Sequence, residues 1–181
     1  NFSEYIPKNL NVAVLFTDIV GFTKLSEKME PNDVLQLLSE YQTIMVECIF
    51  EFNGTVDKFI GDAVMANFGT PKSYGNDAQN AFDCAKKMKF MLHEWNKNRI
   101  DNKQKVIQHR IGIHYGECVV GNVGGEKRVE YTVLGDTVNV ASRLCDLSKN
   151  FDNDLLISKT LYNQIEIVDD YEVLQSQTIK G

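Results

Sequence analysis

Asp18 closes the apolar run Val12-Ala13-Val14-Leu15-Phe16-Thr17, and Asp62 follows Gly61 in the segment Val56-Asp57-Lys58-Phe59-Ile60-Gly61-Asp62-Ala63-Val64-Met65. A carboxylate at the end of a buried strand is costly unless a cation or hydrogen-bond donors compensate it. Two such carboxylates on neighbouring strands could hold two divalent ions about 3.5–4 Å apart, an arrangement suited to phosphoryl chemistry because it stabilises both the attacking and the leaving oxygen. Each aspartate alone also reads as a turn residue, since Gly61-Asp62 is a common two-residue hairpin turn. Their placement on two apolar strands is what favours the metal reading. Oxygen ligands with no His or Cys nearby point to Mg²⁺ or Mn²⁺ rather than zinc.

Other polar residues could complete a phosphate site. Ile19-Val20-Gly21-Phe22-Thr23 leads from a strand toward a helix. Gly21 permits close backbone approach, and successive amides at a helix start can meet phosphate. No GxxxxGK[ST] loop occurs. Lys58 sits among apolar neighbours; strand alternation puts it with Val56 and Ile60, opposite Asp57 and Phe59, which excludes Asp57 as its partner. It is then either bridged to a more distant acid or a donor to a bound base. Asn139 and Arg143 are one helical turn apart and share a face. Arg can clamp phosphate oxygens and Asn can fix a ribose oxygen, although a solvated polar face is the plainer reading of such a pair. Thr132, on the strand before that helix, offers a hydroxyl that both donates and accepts.

The elements that must position these groups follow from hydrophobic period. Residues 12–17 read as a buried strand. Pro31 opens a helix with Val34, Leu37, Leu38, Tyr41, Ile44, Met45, Ile49 and Phe52 on one face, ended by Asn53-Gly54. Thr55–Ile60 and Ala63–Phe68 form a hairpin. A second helix runs from about Asn76 to Trp95, with Asn96–Gln104 as a loop. Val106–Tyr115 and Cys118–Val123 read as two strands turning at Gly116, then Gly124–Lys127 as a turn and Val129–Leu134 as a strand. A third helix, Asp136–Lys149, buries Val140, Leu144 and Leu147. Leu155–Ser158, a helix from Lys159 to Ile165 and a strand Tyr171–Ile179 complete the chain. The order βαββαβ with further strand and helix predicts an α+β fold, helices packed on a mostly antiparallel sheet.

Composition bounds the function. The 181 residues, 43% hydrophobic and 24% charged, suit one domain with a substantial core. Residues 1–10 read as a lead-in from an upstream region, and 11–181 as the domain. A net charge of −6 and the lack of a basic run argue against nucleic acid as the main partner. Cys48, Cys84, Cys118 and Cys145 contain no CxxC pair and read as reduced packing residues. His93, His109 and His114 have no ligand spacing. No apolar run reaches the length of a membrane span, so the expectation is a cytoplasmic domain, free or tethered to a larger protein.

The segments FTDIVGFT, KFIGDAVMANFG, GIHYGECVVGNVG and YTVLGDTVNVASRL together resemble the catalytic domain of class III adenylyl cyclases. They cover nearly the whole chain from about residue 11. The resemblance implies a ferredoxin-like core and conversion of ATP to cyclic AMP and pyrophosphate with two Mg²⁺ or Mn²⁺ ions. By position it implies Asp18, Asp62 and the Ile19 backbone as the metal site, and Ile19–Thr23 as the triphosphate-binding stretch. Lys58 and Thr132 are implied as readers of adenine, and Asn139 and Arg143 as the pair that orients ribose and stabilises the transition state. Lys180 is implied as a late phosphate contact. Threonine at 132, where many members carry aspartate, resembles a subgroup that includes bicarbonate-responsive cyclases. Bicarbonate or an upstream regulatory domain is therefore a possible input. The resemblance also implies a homodimer whose sites are shared, one protomer giving the aspartates and the other Lys58, Thr132, Asn139 and Arg143. The rivals are guanylyl cyclase on the same fold and an inactive dimerising or sensing module. Lys58 cannot accept from guanine, and none of the six side chains is lost.

Overall fold

The apolar run carrying Asp18 is buried on both faces because it is the central strand of a sheet. In the computed structural model, which describes residues 8–125, 128–151 and 153–167, β1 spans Lys8–Ile19. It pairs antiparallel with β3 (Ala63–Phe68) on one side and β4 (His109–Gly125) on the other. β2 (Thr55–Ile60) lies outside β3 and β5 (Arg128–Leu134) outside β4, giving the order β2-β3-β1-β4-β5. β6 (Leu155–Ile157) joins β4 in parallel.

Alternation along β1 divides the core in two. Ala13, Leu15 and Ile19 face α2 (Pro31–Glu51) and α3 (Asp77–Asp101), packing with Tyr41, Met45, Ile49, Ala81, Ala85 and Met88. Val12, Val14 and Phe16 face the other way, toward Ala141 and Cys145 of α4 (Asp136–Leu147) and Val133 of β5. Fully buried side chains such as Met45, Ile49 and Met88 each contribute about 1.5–3 kcal/mol relative to exposure. The short α1 (Phe22–Glu27) follows β1, and α5 (Lys159–Tyr162) follows β6. This is the expected ferredoxin-like core.

Three expectations are corrected. The stretch after Trp95 is helical to Asp101 rather than a loop. Its polar residues are used locally: the Asn96 side chain donates to the Ile107 carbonyl at 2.8 Å and accepts from the Ile107 N–H at 2.9 Å, while Arg99 Nε donates to the Lys105 carbonyl at 2.7 Å. Second, β4 is one strand, with no turn at Gly116, which pairs with Val12 in mid-ladder. A Cβ at Gly116 would lie 2.6 Å from Thr137 Oγ1, so glycine here admits α4 rather than reversing the chain. Third, the buried stripe of α4 is Thr137, Ala141, Leu144 and Cys145, with Val140 and Leu147 only half-buried. α4 stops at Leu147 and continues as a 3₁₀ turn, Ser148–Asn150. The expected strand Tyr171–Ile179 lies outside the described residues.

Candidate active site

Asp18 leaves β1 on the α4 side, the same face as Phe16. Its cross-strand partner is Arg110, whose guanidinium takes it in a fork, Nε to Oδ1 at 3.1 Å and Nη2 to Oδ2 at 3.3 Å. Burial raises the Asp18 carboxyl above its usual range and outweighs the lowering by Arg110; Asp62 and Asp146 push it up further. Burial works against the charge of Arg110, and Asp18 overcomes it and holds the guanidinium more firmly charged. The pair thus benefits the guanidinium while the carboxylate remains an expensive group. Asp62, in the β2–β3 turn, accepts from the Ile19 N–H at 2.9 Å. That bond ties the turn to the residue following Asp18 and brings the two sequence-predicted carboxylates to one end of the sheet. A cleft of about 120 Å³ opens there, lined by Phe16, Asp18, Ile60, Ala63, Ser142, Cys145 and Asp146.

Two amides of the expected phosphate-binding stretch Ile19–Thr23 have partners within the chain. The Ile19 N–H is committed to Asp62, and the Val20 N–H donates to the Gln108 carbonyl at 2.8 Å. Gly21 is left-handed at φ 66° where α1 begins, so the Phe22 and Thr23 amides are the first of a helix and lack an intrahelical acceptor.

A buried polar cluster lies behind the carboxylates, on the α2 side of the same two strands. Thr17 Oγ1 is 2.7 Å from the Tyr41 hydroxyl, which is 3.3 Å from His109 Nδ1. Thr17 and His109 immediately precede Asp18 and Arg110, so one tyrosine from α2 clamps both strands just behind the charged pair. His109 is 2% exposed, and its Nε2 has no partner among the described residues. Burial pulls its pKa down to about 4.

Lys58 and Thr132 come together although 74 residues apart and on the two edge strands: Nζ donates to Oγ1 at 3.2 Å. The β4–β5 ribbon curls over the sheet until β5 meets β2. The expected exclusion of Asp57 is wrong. Pairing advances from Val56–Ala66 to Lys58–Met65, two residues on β2 against one on β3. This bulge breaks the alternation and turns Asp57 toward Lys58, 3.6 Å from its ammonium. The Thr132 hydroxyl donates to Asp57 Oδ2 at 3.3 Å. Burial raises the Asp57 carboxyl, opposed by Lys58, Thr132 and the Val133 N–H.

Asn139 is exposed and Arg143 half-exposed on α4. The structure gives neither a side-chain partner among the described residues, and it does not join them to Asp18 or Asp62. Lys180 lies outside the described residues. Sequence reasoning missed Arg110, Asp57, Tyr41 and His109. The available signal was register: an arginine inside an apolar strand needs a partner, and Asp18 ends the strand beside it.

The family described as "Adenylate and Guanylate cyclase catalytic domain" matches residues 4–180. Adenylate cyclase 1 of Rhizobium meliloti is 33% identical over 198 residues, covering 99% of this chain and 30% of that protein. The chain therefore spans about a third of the length of the curated relatives it matches. Among solved structures, the guanylyl cyclase Cya2 superimposes with a TM-score of 0.84 at 31% identity, covering 96% of this chain and 89% of that one. The adenylyl cyclase CyaB from P. aeruginosa gives 0.78 at 36% identity, covering 88% and 82%. On sequence and topology alike, this chain belongs to the class III adenylyl and guanylyl cyclase catalytic domains.

Proposed function

We propose that the domain is an adenylyl cyclase, converting ATP to 3′,5′-cyclic AMP and pyrophosphate at a site completed by a second copy of the chain. The observation that carries the choice of base is the Lys58–Thr132 pair, a donor beside a hydroxyl at 3.2 Å. Adenine offers an acceptor at N1 and a donor at N6, and Lys58 and Thr132 can meet both. Guanine offers the reverse, and Lys58 cannot accept. The relatives in R. meliloti and P. aeruginosa are called adenylate cyclases, whereas Cya2 is called a guanylyl cyclase. Fold therefore does not choose the base, and the side chains at the edge-strand junction must.

The donor set suits a hard divalent ion. Asp18, Asp62 and the Ile19 carbonyl would hold Mg²⁺ or Mn²⁺. Among the described residues no group of three or more His, Cys, Asp or Glu converges, so phosphate oxygens and water would fill the remaining coordination. Two such ions, when bound, supply Lewis acidity at the ribose 3′-oxygen and the leaving pyrophosphate. The chain's own part is positioning and charge. The backbone of Ile19–Thr23 receives the triphosphate, and Arg110 holds Asp18 in place. Lys58 and Thr132 hold the base, Asn139 the ribose, and Arg143 the charge that develops on the α-phosphate. Asn139 and Arg143 make no contact with the carboxylates of their own chain, which supports a site shared between protomers. Lys180 remains a contact implied by resemblance alone.

The test is kcat/KM of the purified domain for ATP and GTP with Mn²⁺, product identified as cyclic nucleotide. Strong preference for ATP is expected, with Lys58→Glu cutting ATP turnover and narrowing the preference, at roughly 1–3 kcal/mol per buried unpaired group. Equal values for the two nucleotides, or an unchanged ratio in Lys58→Glu, would remove Lys58 as the reader of the base.

A further inference from the structure

We propose that Asp57 is a positioning residue that fixes the direction of the Thr132 hydroxyl and thereby makes the base-reading pair one-way. The proposal rests on the reading of Lys58 and Thr132 as contacts to the purine edge.

The geometry leaves little freedom. The bulge at Asp57 places its carboxylate, with a side chain only 2% exposed, against both readers. An ionised carboxylate can only accept. It receives the one hydroxyl hydrogen of Thr132 at 3.3 Å and faces the Lys58 ammonium at 3.6 Å. Thr132 is itself buried, at 5% exposure, so no water competes freely for that hydrogen. One lone pair of the Thr132 oxygen takes Lys58 Nζ–H at 3.2 Å. The other lone pair is all that remains for a ligand. A hydroxyl free to rotate could donate to the 6-oxo group of guanine or hypoxanthine as readily as it accepts from the 6-amino group of adenine. Held by Asp57, it can only accept. Lys58, which can only donate, completes a donor–acceptor edge that matches a 6-aminopurine and opposes a 6-oxopurine at both atoms. Specificity then resides in a carboxylate that itself need not touch the base.

The experiment compares kcat/KM for ATP and for inosine triphosphate, with the same divalent metal, in wild type, Asp57→Asn, Asp57→Ala and Asp57→Glu. The asparagine amide can donate to Thr132 and release its hydroxyl hydrogen toward the base. Alanine removes the acceptor altogether, and glutamate retains it. The ATP-to-inosine ratio is expected to fall about tenfold in Asp57→Asn and Asp57→Ala, and to stay nearer wild type in Asp57→Glu. The mismatch between inosine N1–H and Lys58 is common to every protein and cancels from the comparison. The ratio is measured within one preparation, so partial loss of folded protein cancels too. A merely structural role would lower both turnovers together, and an unchanged ratio in Asp57→Asn and Asp57→Ala overturns the proposal. Thr132→Val separates the two levels. If it narrows the ratio while both Asp57 variants do not, the orienting role of Asp57 fails and base reading by Thr132 stands. If Thr132→Val also leaves the ratio unmoved, base reading at Thr132 fails and the role of Asp57 falls with it. In a Thr132→Val background, Asp57→Asn should change the ratio no further, since there is no hydroxyl left to orient.

Discussion

At Asp18 burial raises the carboxyl and the Arg110 guanidinium opposes it. Two crowded carboxylates suggest that removing either would relieve repulsion and stabilise the metal-free protein. The Arg110 fork changes that expectation for Asp18. Asp18→Asn is expected to abolish turnover yet shift metal-free stability by no more than about 1 kcal/mol, since relief of desolvation offsets the lost pair. Arg110→Met, which strands a partly buried carboxylate, should cost more, about 1–3 kcal/mol. Urea unfolding without metal separates the two; a larger loss in Asp18→Asn than in Arg110→Met would refute this ordering. His109 gives a second residue-scale prediction. Its folded pKa of about 4 lies below the ordinary 6.5, so the unfolded chain binds the proton first as pH falls. The associated stability is present above pH 6.5 and is lost between 6.5 and 4, about 3 kcal/mol in all. His109→Gln should flatten the urea midpoint against pH in that window, and an unchanged slope would show that His109 is not the titrating group.

The elements are held apart or together by small residues as much as by apolar ones. α4 crosses β4 so closely that a Cβ on Gly112 would lie 2.3 Å from the Cys145 nitrogen and 2.7 Å from the Ala141 carbonyl. Both are backbone atoms in mid-helix, so α4 itself must move. Gly112→Ala should therefore destabilise by about 1–3 kcal/mol or more and displace the helix that carries Asn139 and Arg143. At Gly116 the obstacle is the Thr137 hydroxyl at 2.6 Å, a side chain that can rotate away from its 2.8 Å bond to the Glu117 carbonyl. Gly116→Ala should be the milder change. Chemical denaturation of both variants checks the order, and a reversed order would mean that helix α4 is not fixed by its approach to Gly112.

For the whole molecule the question is assembly. Members of this family bind nucleotides and work as dimers. The described site candidates fall into a carboxylate group around Asp18 and a Lys58–Thr132–Asp57 cluster, with Asn139 and Arg143 on α4 joined to neither. If two chains complete one site, Asp62→Asn and Arg143→Ala should each be inactive alone and regain activity when mixed, because one site of the mixed dimer is intact while the other carries both lesions. At equal mixing, about half of the dimers are heterodimers with one intact site each, so about a quarter of wild-type activity is the ceiling. Proven subunit exchange without recovery would rule out a shared site.

Much of this protein was legible in the sequence because the signals are local. A run that is apolar at every position has to be buried on both faces, and β1 is central. Helix period located α2, and the Gly61-Asp62 pair located the β2–β3 hairpin to the residue. Motif order singled out Asp18, Asp62, Lys58 and Thr132, and the fold brings Asp62 to the end of β1 and Lys58 to Thr132. Where local pattern failed, a distant atom had decided. Asn96 and Arg99 are helical because loop carbonyls beyond them supply hydrogen-bond partners, and Gly116 stays in the ladder because Thr137 occupies the space a side chain would need. The bulge that turns Asp57 inward has no marker in a period-two pattern, since one extra residue reverses the facing of everything on one side of it. The partnership of Asp18 with Arg110, and of Lys58 with Thr132 across opposite sheet edges, belongs to strand register and sheet curl. Those depend on how the helices pack on the two faces, and that is a property of the folded chain as a whole.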